Sequence, residues 1–518
     1  MKERKFIGLI ALMTFLMTLF VTVGRAQAQV QMQAQTQTPV PTKVQTPVEA
    51  QAPVQEVVGK WMGVLTVQGT SLRLGFNITK GDSGYVSTLD SPDQGTMGYP
   101  VKATTFDGSK LLLELSDIAA VFEGAFHRDS IVGHFKQNGM SFPLTLIRSK
   151  GDVAPKEVAA LHVLSDNVVS ERKTIQLSEG VEVTARLCLP KEGEVRTIVV
   201  VVHGTGPYTY LTKRQGFNYY DVLADGFCEK GLGFFTYNRR GVDLGETPPW
   251  YDSIDREAYA NYVPSTEAAD IETMIGFLKE DPRFKNSKLL LYGISEGTIV
   301  ASMVAERNRV PVDALLLHGY AHENMYDIIK WQHSGEGVMI LANSFFDKNG
   351  DKMVDREEYA SDDRKVAAYR AYLFQNLPFD SVDVVKDGVI NVKDLRVKRE
   401  PFQELLMSKI AEKDGDWIWN NYVRVTIPWF RDHFALEPNK TRLLRVDVPI
   451  FVFHGKEDAN VPVESVYDLE ARFRACGKDN LRTFVFDGHN HDLNFQNWVA
   501  SKRCSEGFLK LFEVAAGF

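Results

Sequence analysis

The stretch that most constrains the fold of this chain is Leu289-Leu290-Leu291-Tyr292-Gly293-Ile294-Ser295-Glu296-Gly297-Thr298. Its apolar opening reads as a buried strand, and Thr298-Ile299-Val300-Ala301-Ser302-Met303-Val304-Ala305 reads as a helix. Strand, sharp turn and helix are the setting in which Gly-x-Ser-x-Gly presents a nucleophilic serine. The turn forces strained backbone angles on Ser295, so its neighbours must be small, and Gly293 and Gly297 are. The hydroxyl is then held at the top of a sheet, and the N–H of Glu296 points at an oxyanion developing there.

The strands needed for that sheet lie on both sides. Thr197-Ile198-Val199-Val200-Val201-Val202 is a continuous β-branched run, as buried parallel strands require. Residues 233–237, 288–292, 314–317, 449–453 and 482–486 follow, most of them separated by helical stretches. Lys173–Leu177 and Val181–Leu189 read as a leading antiparallel pair. Regular alternation of strand and helix predicts an α/β fold with a doubly wound sheet over residues 166–518. Between residues 320 and 444 the alternation stops and aromatic-rich helices take over, so this segment is expected to be a helical cap over the strand ends. Ahead of the sheet, residues 56–150 alternate with period two, with turn residues at regular spacing. That pattern predicts a small all-β domain, a sandwich or a barrel. His127 and His134 fall on its strands and are expected at the surface.

The N-terminus reads as a targeting segment. Lys2, Arg4 and Lys5 form a basic head, Phe6–Val23 is apolar, and Ala26-Gln27-Ala28 is a small-x-small cleavage site. Residues 1–28 are therefore expected to be a signal peptide, which makes the mature protein secreted or periplasmic, with no integral membrane segment after cleavage. Residues 29–55 are rich in Gln, Thr, Pro, Val and Ala and read as a disordered linker. A formal net charge of −8 argues against nucleic acid as a partner. Cys188, Cys228, Cys476 and Cys504 have no metal-ligand spacing. In an exported protein Cys476–Cys504 is the more plausible disulfide, and a free thiol is as plausible for each.

Three further strand ends carry the chemistry. His203-Gly204-Thr205-Gly206-Pro207 closes the Val-rich strand, and its glycines let backbone amides approach a substrate oxygen. The N–H groups of Thr205 and Glu296 are the expected oxyanion hole. His454-Gly455-Lys456-Glu457-Asp458 closes a later strand and places Asp458 where an acid would orient a histidine. The last strand ends at Asp487-Gly488-His489-Asn490-His491-Asp492, with His491 preferred over His489 as the base. The order Ser295, Asp458, His491 is that of a nucleophile, acid and base on one sheet.

These motifs resemble the α/β-hydrolase superfamily from about Lys173 to the C-terminus. Within it the chain is similar to secreted bacterial esterases and related serine peptidases that read His-Gly-Ser-Gly-Pro, Tyr-Asp-x-Arg-Gly, Gly-x-Ser-Glu-Gly and Gly-x-x-Asp. Here Thr205 replaces Ser in the first, and Tyr237-Asn238-Arg239-Arg240-Gly241 has Asn238 for Asp in the second. Neither departure touches the triad, and both weaken any transfer of substrate preference. The family's histidine follows Gly-x-x, as His491 follows Gly488. Leu89-Asp90-Ser91-Pro92-Asp93-Gln94-Gly95 resembles a β module that precedes such hydrolases. The resemblance implies two-step acyl transfer on a small-molecule ester, with no cofactor for the chemistry. A prolyl-type aminopeptidase of the same fold is the alternative, with Glu246, Asp327 or Glu336 as the anion for a substrate amine. A calcium-dependent binding protein with an inactive hydrolase domain is the alternative of another class. The oligomeric state is not legible.

The cap carries a second, unrelated pattern. Residues 347–358 place Asp347, Asn349, Asp351, Asp355 and Glu358 at positions 1, 3, 5, 9 and 12 of an EF-hand loop. Position 7, Met353, needs only its carbonyl, and position 6 is Lys352 where glycine is expected. Residues 383–394 are a weaker copy, with Asp383, Asp387, Val389, Asn391 and Asp394 at positions 1, 5, 7, 9 and 12. The copy has Gly388 at position 6 and lacks an oxygen at position 3. The spacing resembles a pair of EF-hands, and calcium is the expected structural or regulatory ion.

Overall fold

The computed structural model describes residues 57–518 except 68–69, 82–83, 92–95, 116–119, 138–139, 150–163, 215–216 and 244–252. The expected signal peptide and linker, Pro92–Gly95, Glu246 and most of the connector between the two expected domains lie outside the described residues. The chain divides into two compact units.

The first unit is built from β1 Gly59–Val67, β2 Thr70–Gly81, β3 Gly84–Ser91, β4 Thr96–Pro100, β5 Ala103–Phe106, β6 Lys110–Leu115, β7 Ala120–His127, β8 Ser130–Gln137 and β9 Met140–Arg148. Their order is β2-β1-β9-β8-β7-β6-β5-β3-β4, and β2 also pairs with β3. That extra pairing closes the sheet into a barrel, which removes most of its free edges. Alternation decides which side chains enter: Leu111, Leu113 and Leu115 of β6 are buried while Lys110 and Glu114 are exposed. Phe76 and Phe122 stack in the core with ring centroids 5.7 Å apart. Gly124 faces Gly133 across β7 and β8. A Cβ on Gly133 would stand 2.1 Å from the Glu123 carbonyl, so the strands close there because glycine occupies the position. His127 and His134 are exposed on those strands.

The second unit is an eight-stranded sheet between layers of helices. Its strands are β10 Val168–Gln176, β11 Glu182–Pro190, β12 Thr197–Val202, β13 Gly233–Tyr237, β14 Lys288–Ile294, β15 Ala314–His318, β16 Ile450–Gly455 and β17 Leu481–Phe486. They lie in the order β10-β11-β13-β12-β14-β15-β16-β17. β10 and β11 are antiparallel, β11 is antiparallel to β13, and the rest run parallel. All residues of β12 are buried, as a run without polar alternation demands of a strand covered on both faces. The chain order reverses around β12, between β13 and β14, and in open α/β sheets the crevice beyond such strand ends is where ligands bind.

Between β15 and β16 the alternation gives way to helices from Met325–His333 to Asn439–Arg442. All four cysteines are free thiols, and Cys476 and Cys504 are not joined. Among the described residues no helix is long and apolar enough to cross a membrane.

Candidate active site

Ser295 sits at the turn between β14 and the helix Gly297–Arg307, with φ 56°. Between Leu289 and Val304 it is the one residue that is not buried. Both flanking glycines are sterically required. A Cβ on Gly293 would meet the Gly297 carbonyl oxygen at 2.6 Å, and one on Gly297 would meet the Val202 oxygen at 2.1 Å. The turn is thereby pressed against the end of β12.

His491 and Asp458 meet at the ends of β16 and β17. His491 Nδ1 lies 2.7 Å from Asp458 Oδ2. The other carboxylate oxygen accepts the Asn460 and Val461 amides at 2.8 and 2.9 Å. Asp458 is fully buried. Burial alone would raise its pKa; the charge and hydrogen bond of His491 outweigh that and hold the carboxyl below its ordinary 3.8. Burial works against the His491 cation, and Asp458 overcomes it, so the imidazole is raised above 6.5. The carboxylate fixes Nδ1 as the protonated nitrogen, which leaves Nε2 as the acceptor. His489 is turned elsewhere: its Nδ1 reaches the Asp487 carbonyl at 2.9 Å, and its Nε2 accepts the Gly507 amide at 3.4 Å.

β15 ties the serine to the histidine. The Ser295 amide donates to the His318 carbonyl at 2.8 Å, and His318 Nε2 lies 3.0 Å from the His491 carbonyl. The next residue, Gly319, has φ 61°, and a Cβ there would stand 2.6 Å from His491 Cε1. The imidazole therefore rests on a bare backbone one residue beyond the contact that anchors Ser295. Gly455 does the same for the loop that carries His491, since its Cβ would meet the His489 oxygen at 2.2 Å.

The loop His203–Pro207 approaches from the other side, where a Cβ on Gly204 would lie 3.5 Å from Ser295 Cβ. The amides of Thr205 and Glu296 have no backbone acceptor among the described residues. Arg239 shapes the loop from beneath. It donates to the Gly204 carbonyl at 2.8 Å and to the Gly206 carbonyl, while Glu267 holds its other nitrogen at 2.7 and 3.0 Å. His203 is buried and its pKa is pushed well below 6.5, by burial first and by the Arg239 charge second. The neutral ring reaches the Tyr237 carbonyl through Nε2 at 2.9 Å and Tyr220 through Nδ1 at 2.6 Å. Asn238, where the related motif has Asp, accepts the Tyr210 amide at 3.1 Å.

Several partners of these residues are not legible from motifs. Glu296 is buried, and Trp429 Nε1 and His433 Nε2 reach its Oε1 at 2.9 and 2.7 Å, while the Tyr262 hydroxyl reaches Oε2 at 2.6 Å. Burial would raise its pKa; His433, then Arg239 and Tyr262, reverse the sign and keep the carboxyl below its ordinary range. The helix Ile427–Ala435 is thus pinned to the residue that follows the serine. Arg214 pairs with Asp492, beside His491. Of the acids expected to receive a substrate amine, Asp327 is exposed and bonded to Asn324, and Glu336 is half-buried.

In the acidic loops, the carboxylates of Asp383, Asp387 and Asp394 converge within 4.8 Å of one another. Among the described residues those of Asp347, Asp351, Asp355 and Glu358 form no such group. Asn349 bonds to Asp351 at 3.0 Å, and Glu358 accepts the Lys348 amide at 2.7 Å.

The family described as alpha/beta hydrolase fold matches residues 197–497. The chain belongs to that family. The match spans β12 to the segment after His491, and the doubly wound sheet agrees with it. Among solved structures, this hydrolase is similar to an esterase of Pyrococcus furiosus, at 13% identity and TM-score 0.37, covering 66% of this chain and 91% of that one. It is similar to an esterase from Exiguobacterium antarcticum, at 16% identity and TM-score 0.34, covering 67% and 99%. It is also similar to a thermostable carboxyl esterase from Bacillus coagulans, at 17% identity and TM-score 0.39, covering 67% and 99%. No curated protein sequence matches the chain.

Proposed function

We propose that this hydrolase cleaves carboxylic esters of small molecules through an acyl-enzyme on Ser295. The observation that carries the reading is the 2.7 Å contact of buried Asp458 with His491, whose ring rests on Gly319, one residue beyond the His318 carbonyl that accepts the amide of Ser295. His491 Nε2 takes the Ser295 proton as Oγ attacks the ester carbonyl. The amides of Thr205 and Glu296 receive the negative charge on the carbonyl oxygen. The alcohol leaves with the proton from His491. Water then gives a proton to His491 and attacks the acyl carbon; the bond from that carbon to Oγ breaks, and His491 returns the proton to Oγ as the acid leaves. Asp458 fixes the imidazole tautomer and stabilises its cation.

The test is hydrolysis of p-nitrophenyl acetate beside a Pro-anilide, on the full protein and on Ser295→Ala. Ester turnover that disappears with Ser295 is expected. Turnover of the anilide in preference to the ester would replace the reading with peptidase activity, and no turnover of either, with no labelling by a fluorophosphonate, would overturn it. Export belongs to the same proposal, supported by the basic head, apolar run and cleavage site of residues 2–28. N-terminal sequencing of the mature protein checks it, with a start after Ala28 as the expected result.

A further inference from the structure

The acidic loops contribute none of the contacts described for Ser295, Asp458 and His491. They share one backbone course. Val354 pairs with Ile390, and Asp355 with Val389, in a short antiparallel bridge. Val354 and Ile390 are the eighth residues of their loops, and both are fully buried. At the sixth place Lys352 and Gly388 have φ 64° and 88°, and their amides donate to Asp347 and Asp383 at 2.9 and 3.1 Å. At the twelfth place Glu358 accepts the amides of Asn349 and Asp355, and Asp394 accepts those of Val385 and Asn391. These donors are the third and ninth residues in both loops.

The loops differ in their carboxylates. In the second, three of them lie within 4.8 Å of one another. Asp394 is fully buried, and Asp383 is 4% exposed. One oxygen of Asp383, Oδ1, is buried with no hydrogen-bond partner. A carboxylate oxygen withdrawn from water without a donor is unfavourable, and neighbouring carboxylates add repulsion. A cation among the three meets both demands at once. The group is all oxygen, with no imidazole or thiolate, which selects a hard divalent ion over zinc or copper. Three carboxylates in an irregular cluster suit calcium better than magnesium, which keeps its waters and binds through one or two carboxylates.

We propose that loop 383–394 is a calcium site, with Asp383, Asp387 and Asp394 as its carboxylate ligands and the Val389 carbonyl as the backbone oxygen of the loop pattern. The bridge at Val354 and Ile390 couples it to loop 347–358. The oxygen count of the sequence ranks the first loop higher, yet the carboxylates converge in the second. The site does not depend on the ester-hydrolysis reading.

The test is calorimetry on the full protein, freed of metal by chelation, titrated with calcium and in parallel with magnesium. Wild type is expected to bind calcium with Kd of about 10⁻⁵ to 10⁻³ M, the range from sensors to extracellular modules. Asp387 is exposed, so Asp387→Asn leaves folding intact. It is expected to weaken calcium at least ~10-fold, as loss of a charged ligand does where charge count sets affinity. Failure of wild type to bind at about 10 mM calcium, above the weakest of these modules, overturns the proposal. So does an Asp387→Asn protein that binds like wild type, and so does calcium binding lost in Glu358→Gln but unchanged in Asp387→Asn, which would assign the ion to loop 347–358. Magnesium binding as tight as calcium would overturn the choice of ion.

Discussion

Ser295, Asp458 and His491 have different roles in the proposed reaction, and kinetics separates them. Ser295→Ala or His491→Ala is expected to lower kcat by roughly 10⁴-fold or more, and Asp458→Ala somewhat less. His489→Ala should retain most activity, because both ring nitrogens of His489 are spent on backbone groups. An inactive, folded His489→Ala protein would show that the wrong histidine has been assigned. The pH profile follows from the sign of the His491 shift. The proposed reaction needs neutral His491, and its pKa is raised above 6.5 by Asp458. Activity should therefore fall as pH drops through a midpoint above 6.5, and Asp458→Asn should move the acid limb of kcat/KM downward along with the loss of rate. The placement of these residues at strand ends was legible because each follows an apolar run; the roles given to them are part of the proposal. The contact made by Gly319 was not legible. The sequence shows a glycine after a strand, and only the folded sheet shows which ring it admits. Gly319→Ala places a methyl against His491 and forces φ 61° on a residue with a Cβ. Displacement of the imidazole by about an ångström corresponds to a loss of roughly 10²-fold in kcat, and steady-state kinetics on folded Gly319→Ala measure it.

At the level of elements, composition announced strands and helices more clearly than their neighbours in space. The β-branched run 197–202 and the alternation of 110–115 follow directly from burial on two faces or on one. The closing pair β2 and β3, which makes a barrel of the first unit, depends on strand twist and turn geometry that short alternating runs do not encode. The helix Ile427–Ala435 shows the same limit. The sequence places Trp429 and His433 only within the aromatic-rich cap, yet they complete the hydrogen bonds of Glu296, more than a hundred residues away. Glu296→Gln keeps the shape and removes the charge that three donors surround. Breaking such a buried, charge-assisted set costs about 3–5 kcal/mol when one partner is lost outright, and the isosteric amide should cost less, about 1–3 kcal/mol. Urea unfolding of Glu296→Gln against wild type checks this. A stability unchanged within about 0.5 kcal/mol, the range of ordinary surface changes, would mean that the carboxylate is not the tie.

For the whole molecule, the change from period-two alternation to strand-helix alternation marked two units, because each pattern buries its apolar residues in a different way. Each unit has its own core. Trp61, Phe76 and Phe122 belong to the barrel, and the cluster around Phe227, Tyr292 and Phe508 belongs to the α/β sheet. The barrel closes through its own strand pairs, and the eight strands of the second unit are all contributed from Val168 onward. Ser295, Asp458 and His491, with every hydrogen-bond partner described for them, lie in the second unit. A protein that begins near Asp166 therefore retains all strands of the eight-stranded sheet. It should fold, bind a fluorophosphonate on Ser295 and turn over p-nitrophenyl acetate with kcat within about tenfold of the full chain, a change of no more than about 1.4 kcal/mol in the barrier. The measurement has two parts, circular dichroism to establish folding and active-site labelling to count competent serines. A soluble, folded protein that fails to label would mean that the barrel contributes to the site. A protein that labels fully but has a raised KM would place the contribution of the barrel in substrate binding alone.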